Sequence, residues 1–275
     1  MTEPELEVLI PTRNRPVELA TTLAGLAAQD FPDFGVLVSD QSDGAPSYDT
    51  PGATAMARVL RRAGHPVSFG RHLPPRGLAE HRAHLLARSR ARYVLFLDDD
   101  VWLEPGTISR LHEAISKLGC GLVGNAVQGL SYLNDHRPEE LEPFERWQGP
   151  PEPERITPHG PEWRRWTLHN AANPTHLADA LGLRDGEWVA YKIAWVGGCV
   201  LYDRAALVSV GGFDFWSELP PDHCGEDVLA QLRVLATYGG AGVLPSGAVH
   251  LEAPTTVVER RVEAYEVVPP PGGQE

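Results

Sequence analysis

The segment Tyr93-Val94-Leu95-Phe96-Leu97 is apolar at every position and runs directly into three consecutive carboxylates, Asp98-Asp99-Asp100. A strand with no polar face belongs at the centre of a sheet covered on both sides, the usual situation of parallel strands in α/β proteins. The preceding chain alternates accordingly. Leu6 to Ile10 reads as a strand stopped by Pro11, Val17 to Ala28 carries leucines at 19, 23 and 26 in helical spacing, Gly35 to Ser39 reads as a strand and Ala53 to Ala63 as a helix. The run Val67-Ser68-Phe69 and a helix from Leu78 to Arg88 then lead to the apolar strand. This alternation predicts a doubly wound α/β domain, in which ligands bind beyond the carboxyl ends of the strands, where the aspartate triplet stands.

Beyond the triplet, Gly106 to Leu118 reads as a helix and Gly121 to Gly124 as a short strand. Prolines at 138, 143, 150, 151, 153, 158 and 161 then mark an extended loop or lid over 137–161. Order resumes at Val189 to Val196 and Cys199 to Tyr202, followed by a helix from Glu226 to Ala236 and a short strand ending near His250. The segment Val267 to Gly273, with three consecutive prolines, suits neither helix nor strand and predicts a mobile tail.

Charge narrows the function. Lys+Arg 24 against Asp+Glu 37 gives a net charge of −13, which repels nucleic-acid phosphate and requires any anionic substrate to meet a metal ion or a local arginine cluster. Three cysteines, Cys120, Cys199 and Cys224, show neither close pairing nor zinc-ribbon spacing, which fits a reducing compartment. There is no basic and apolar leader at Met1 and no apolar run of the roughly 20 residues that span a bilayer. A cytoplasmic protein is expected, without a transmembrane segment, and contact with a membrane surface stays open.

Three adjacent aspartates repel one another, a cost best tolerated where a hard cation or a hydroxyl-rich ligand takes up the charge. The triplet alone equally suits a solvated turn before the helix at Gly106. A P-loop is excluded, because neither Lys117 nor Lys192 stands in a Gly-Lys-Ser/Thr turn. An aspartyl phosphatase would place such a motif near its N-terminus and a small residue where Trp102 stands. Glu226-Asp227 opens a helix, whose positive end favours acidic residues on any account. Their side chains diverge by about 100°, so they serve different tasks.

Five segments together resemble a known family. Leu9-Ile10-Pro11-Thr12-Arg13-Asn14-Arg15-Pro16, Val38-Ser39-Asp40-Gln41-Ser42-Asp43, Phe96-Leu97-Asp98-Asp99-Asp100, Val196-Gly197-Gly198-Cys199 and Cys224-Gly225-Glu226-Asp227 follow one another as in family 2 of the nucleotide-sugar glycosyltransferases. The resemblance spans roughly Leu6 to His250. It implies a GT-A (Rossmann-like) fold: a mixed, mostly parallel sheet flanked by helices, in a single domain with an acceptor-side insertion. Residues 1–125 would be the nucleotide-sugar-binding half, 126–252 the acceptor-binding and catalytic half with its proline-rich loop, and 253–275 a C-terminal tail.

The resemblance also implies roles. Pro11, Thr12, Arg13 and Ser42 would shape the donor site, with Asp40 on the base, typically uracil. Asp98 would lie near ribose and metal-bound water, Asp100 would ligate a divalent metal on the diphosphate, and Asp99 would share either task. His250 would complete the metal site, and a mixed carboxylate and imidazole set suits Mn²⁺ better than Mg²⁺. Arg82 stands where relatives carry an arginine before Asn, but Ala83 replaces the Asn. Gly197 and Gly198 would let backbone approach the sugars, Trp195 and Trp216 would contact the acceptor, and Asp227 would be the general base with Glu226 supporting the acceptor or the loop. The implied reaction is inverting transfer of a sugar, from a UDP-sugar first, to a hydroxyl of a carbohydrate, glycolipid or small molecule. The alternatives are a nucleotidyltransferase, which would release pyrophosphate, and a non-catalytic sugar-nucleotide or glycan-binding module.

Overall fold

The structure, a computed structural model, describes residues 3–255 and 261–270. The first part of the chain forms β1 (Leu6–Thr12), α1 (Pro16–Ala27), β2 (Phe34–Asp40), α2 (Pro51–Ala63), β3 (Val67–Arg71), α3 (Leu78–Arg88), β4 (Tyr93–Leu97), β5 (Val101–Leu103), α4 (Thr107–Leu118) and β6 (Leu122–Gly124). The second part adds α5 (Pro138–Leu141), α6 (Asn173–Leu181), β7 (Val189–Tyr191), β8 (Cys199–Asp203), α7 (Arg204–Ser209), α8 (Glu226–Tyr238), β9 (Gly240–Leu244), β10 (Ala248–His250) and α9 (Ala264–Val267).

Eight strands form one sheet in the order β3-β2-β1-β4-β8-β6-β9-β7, and β10 pairs with β5 in a separate ribbon. The sheet is parallel across β3-β2-β1-β4, and β8 runs antiparallel to both β4 and β6. The uniform apolarity of β4 has the expected cause. Val94 and Phe96 enter one buried cluster, shared with α3 and α8, while Tyr93, Leu95 and Leu97 enter the other, shared with α1, α2 and α4.

Three sequence expectations are refined by the structure. Pro11 does not stop the first strand, because β1 continues to Thr12 opposite Asp40. The Thr12 carbonyl accepts from Gln41 on the β2 side, so the adjacent proline turns its missing donor toward β4, where pairing has already ended at Leu9. Of the two readings of the proline-rich region, extended loop or lid, the structure describes mostly loop, and none of residues 137–161 lines the central cleft. It covers the sheet edge, with Trp147 N–H donating to the Ala190 carbonyl at 3.0 Å and Lys192 N–H to that of Glu145 at 2.8 Å, which protects the outer strand β7 from further pairing.

The C-terminal segment is the third case. Cys224 and residues 262–264 exchange backbone hydrogen bonds of 2.9 and 2.8 Å, and Ala264 and Val268 are buried, so residues 261–268 pack against the start of α8. The expected mobile segment lies partly outside the described residues, from 271 onward. Among the described residues no helix is long and apolar enough to cross a membrane.

Candidate functional site

The topology brings five distant segments to one edge of the sheet. β1, β2 and β4 end there, and because β8 runs antiparallel to β4 it begins there, with Asp98 N–H donating to the Gly198 carbonyl at 2.9 Å. The β5–β10 ribbon places His250 opposite Val101, just past the triplet, and the N-terminus of α8 closes the far side. They surround a cleft of about 1270 Å³ lined by Pro11, Thr12, Arg13, Arg82, Asp98, Asp99, Asp100, Trp195, Gly197, Gly198, Glu226, Asp227 and His250 among others.

The three aspartates have different surroundings. Asp98 is the most open, and one of its oxygens accepts from Arg82 Nη2 at 2.9 Å. Asp99 is buried, accepting from Thr12 Oγ1 at 2.7 Å and Arg15 Nη1 at 3.0 Å. Burial pushes its carboxyl up to about 7 against the opposing influence of Thr12 and Arg15. Asp100 is buried too, which works to raise it, but the hydrogen bond from His250 and the charge of Arg15 prevail and hold it below the ordinary carboxylate range. His250 is raised in turn, chiefly by its hydrogen bond to Asp100, whose oxygen lies 3.4 Å from Nε2.

Across the cleft, Glu226 is buried and its Oε1 accepts from Arg82 Nε at 3.0 Å. Arg82 thus links the end of β4 to the start of α8. Burial works to discharge it, and the charges of Asp98, Glu226 and Asp227 outweigh that and keep it a cation. Asp227 lines the cleft with its carboxyl raised, first by burial and then by the Glu226 charge, against a weaker opposing pull from Arg82. The helix N-terminus does not reverse this.

Gly198 is required twice over. It has φ +77°, and a Cβ there would stand 2.7 Å from Val127 Cγ1. Gly197 is different, since a Cβ would meet only Trp195 Cζ3 at 3.6 Å.

Three expected residues do not reach the cleft. Asp40 is fully buried, and its oxygens are taken up by Ser42 N–H at 2.7 Å, Ser42 Oγ at 3.0 Å and Ser47 N–H at 2.7 Å. It frames the loop after β2 rather than facing a base. Ser42 shares that role, its hydroxyl oxygen also accepting from Asn14 N–H at 2.8 Å. Trp216 sits in the 3₁₀ turn Asp214–Glu218 and packs against the larger core cluster, away from the cleft.

Other residues take their place. Gln41 lines the cleft, 4% exposed, with its Nε2 lacking a partner. Trp163 lines the wall beside Trp195 and meets Tyr265 edge-on at 5.3 Å. Arg15 joins Asp99 and Asp100 and donates through Nη2 to the Pro254 carbonyl. Arg15 and Gln41 stand inside the recognised motifs, yet nothing in their local sequence distinguishes them from loop residues.

The donors expected to hold a metal meet only in part. Asp100 and His250 adjoin, whereas Asp98 faces Arg82, and among the described residues no three His, Cys, Asp or Glu are arranged around a common point. An oxygen and an imidazole nitrogen suit a divalent ion whose remaining positions are filled by a ligand and water.

Comparison with known proteins identifies a family and a fold. The profile described as Glycosyl transferase family 2 matches residues 7–174. The GalNAc(5)-diNAcBac-PP-undecaprenol beta-1,3-glucosyltransferase of Campylobacter jejuni is 28% identical over 125 residues, covering 45% of this chain and 38% of that protein. The S. aureus TarS 1-349 structure in complex with UDP-GlcNAc superposes with a TM-score of 0.55 at 17% identity, covering 91% of this chain and 59% of that one. The mannosyltransferase PcManGT from Pyrobaculum calidifontis, in complex with GDP-Man and Mn²⁺, gives 0.54 at 16% identity, with 94% and 59% covered. The chain therefore spans well under two thirds of the length of each of these proteins. The two structures share its fold, GT-A, and the profile match over more than half its length shows that the chain belongs to glycosyl transferase family 2.

Proposed function

We propose that the protein is a metal-dependent, inverting glycosyltransferase that moves a sugar from a nucleoside-diphosphate sugar, with a UDP-sugar favoured, to an acceptor hydroxyl. The observation that carries this reading is that Asp98–Asp100 and Asp227 line one cleft, from opposite sides, in a chain of this family. Carboxylates on the donor side and a raised carboxylate opposite are what a direct displacement needs.

In this reading Pro11, Thr12 and Arg13 flank the nucleoside, and the unpartnered carboxamide of Gln41, which offers both a donor and an acceptor, suits the imide edge of uracil. Asp100 and His250, with Asp98 near, would hold the metal, which as a Lewis acid would offset charge on the departing diphosphate. Asp227 takes the proton of the acceptor hydroxyl as its oxygen bonds to the anomeric carbon and the bond from that carbon to the diphosphate breaks. Burial suits Asp227 to this task by raising its proton affinity. Glu226, paired with Arg82, keeps its charge engaged and steadies the loop. Trp163 and Trp195 offer aromatic faces to the acceptor sugar, and Gly197 and Gly198 let it approach the backbone.

The acceptor reading extends to carbohydrates, including lipid-linked ones such as the Campylobacter jejuni relative's name describes. The test is a UDP-release assay with a panel of UDP-sugars and acceptors, run with Mn²⁺ and with EDTA. Acceptor-stimulated, metal-dependent release of UDP supports the reading. Pyrophosphate release would turn it to a nucleotidyltransferase, and donor binding without turnover to a binding module.

A further inference from the structure

The cation beside the aspartate triplet belongs to the protein itself. Arg15 Nη1 donates to Asp99 Oδ1 at 3.0 Å and to Asp100 Oδ2, and Nη2 donates to the Pro254 carbonyl. The oxygen of Asp100 that Arg15 occupies is the same one that His250 Nε2 approaches at 3.4 Å. His250 Nδ1 accepts from Glu252 N–H at 3.1 Å, so in the neutral ring the proton is on Nε2, pointing at Asp100. Asp100 and His250, the two donors best suited to a metal, are thus both engaged in internal hydrogen bonds, and the Arg15 side chain that occupies Asp100 is only 11% exposed.

The other cleft arginines are differently placed. Arg82 is fixed between Asp98 and Glu226, and Arg13 lies at the exposed rim with Asp43 at 2.8 Å. Arg15 is the one that sits on Asp100, the carboxylate that would ligate the metal directly together with His250. A divalent ion and a guanidinium on one carboxylate oxygen repel each other, so the metal alone must displace Arg15. A diphosphate offers the displaced guanidinium an equivalent bidentate partner.

We propose that Arg15 is the resident counter-cation of Asp100, that it leaves Asp100 when metal binds and turns to the donor diphosphate, and that it thereby makes metal and donor binding cooperative. This rests on the donor-site reading given above. Arg15 is a positioning residue in this scheme: it governs when Asp100 is free.

The test is calorimetric titration of Mn²⁺ into the full chain, with and without saturating UDP, for wild type, Arg15→Met and Arg15→Lys, with circular dichroism to establish that each is folded. In wild type, UDP is expected to tighten Mn²⁺ binding by roughly 5–150-fold, the range of ordinary coupling between sites. Arg15→Met is expected to bind Mn²⁺ alone several-fold more tightly than wild type and to gain less from UDP. Arg15→Lys keeps a cation without the fork, so Mn²⁺ alone stays near wild type while the gain from UDP shrinks; this variant carries the test if Arg15→Met does not fold. Unchanged Mn²⁺ affinity and unchanged coupling in the folded variants would overturn the role of Arg15 alone. A wild type that binds neither UDP nor Mn²⁺ would overturn the donor-site reading and this inference with it.

Discussion

Asp98 and Glu226, one at the end of the central strand and the other at the start of α8, are joined through a single buried guanidinium, with Arg82 donating to them at 2.9 and 3.0 Å. Removing Arg82 leaves a buried Glu226 without its counter-charge. Arg82→Met is expected to lose about 3–5 kcal/mol of stability, the usual cost of breaking a buried pair from one side. Arg82→Lys is expected to recover only part, since a point charge cannot bond both carboxylates in the same geometry. Urea unfolding measures both.

Asp227→Asn keeps the shape of the side chain and removes its basicity. Transfer is expected to fall by about 10²–10⁴-fold, the usual contribution of a positioned base. UDP affinity should stay within a few-fold of wild type. Parallel UDP-release kinetics and calorimetry separate the two, and wild-type turnover in the variant would remove Asp227 from the chemistry.

The raised carboxyl of Asp227 also fixes a sign. The base must be ionised, and a raised pKa means that it is lost as pH falls through a higher value than for an ordinary aspartate. The acid limb of kcat/KM is therefore expected to lie above the usual carboxylate range, and its disappearance from that range in pH–rate profiles is the readout.

Asp99 makes a separate prediction for stability. Burial raises its carboxyl from the ordinary 3.8 to about 7, so the folded state holds the proton longer and stability falls as pH rises between those values. A single such group contributes a slope of about 1.4 kcal/mol per pH unit within that window. Asp99→Asn is expected to flatten the dependence, measured by thermal unfolding at pH 5 to 8.

The two glycines at the start of β8 form an internal control. Gly198→Ala meets Val127 at 2.7 Å in a left-handed backbone conformation, and is expected to cost about 1–3 kcal/mol and to lower turnover. Gly197→Ala has only a 3.6 Å contact with Trp195 and should leave stability close to wild type, with any effect confined to acceptor KM.

The parts of this molecule legible in sequence are those set by local pattern. β4 and α3 match their expected bounds because an all-apolar run and a helical stripe each declare themselves within one element. β10 is legible as the short strand ending near His250, but β5 and the pairing of the two are not, because a strand of three residues carries too little pattern and this pairing depends on contact between distant segments. Site candidates such as Asp40 and Trp216 reveal their type in sequence but not their direction. Asp40 turns inward because two serine amides reach it first, and Trp216 turns into the core because a 3₁₀ turn aims it there. Arg15 lay within a recognised motif and stayed silent because its partners are 84 and 85 residues away.

The proposed function turns on the aspartate triplet binding the diphosphate of a nucleotide sugar through a divalent metal. Its most direct test is calorimetric titration of UDP into the purified chain with Mn²⁺, with EDTA, and with Asp100→Ala. Binding is expected with Mn²⁺ and is expected to be lost in EDTA and in the variant. Silence with UDP, GDP and dTDP alike, or UDP binding unaffected by both EDTA and Asp100→Ala, would contradict it.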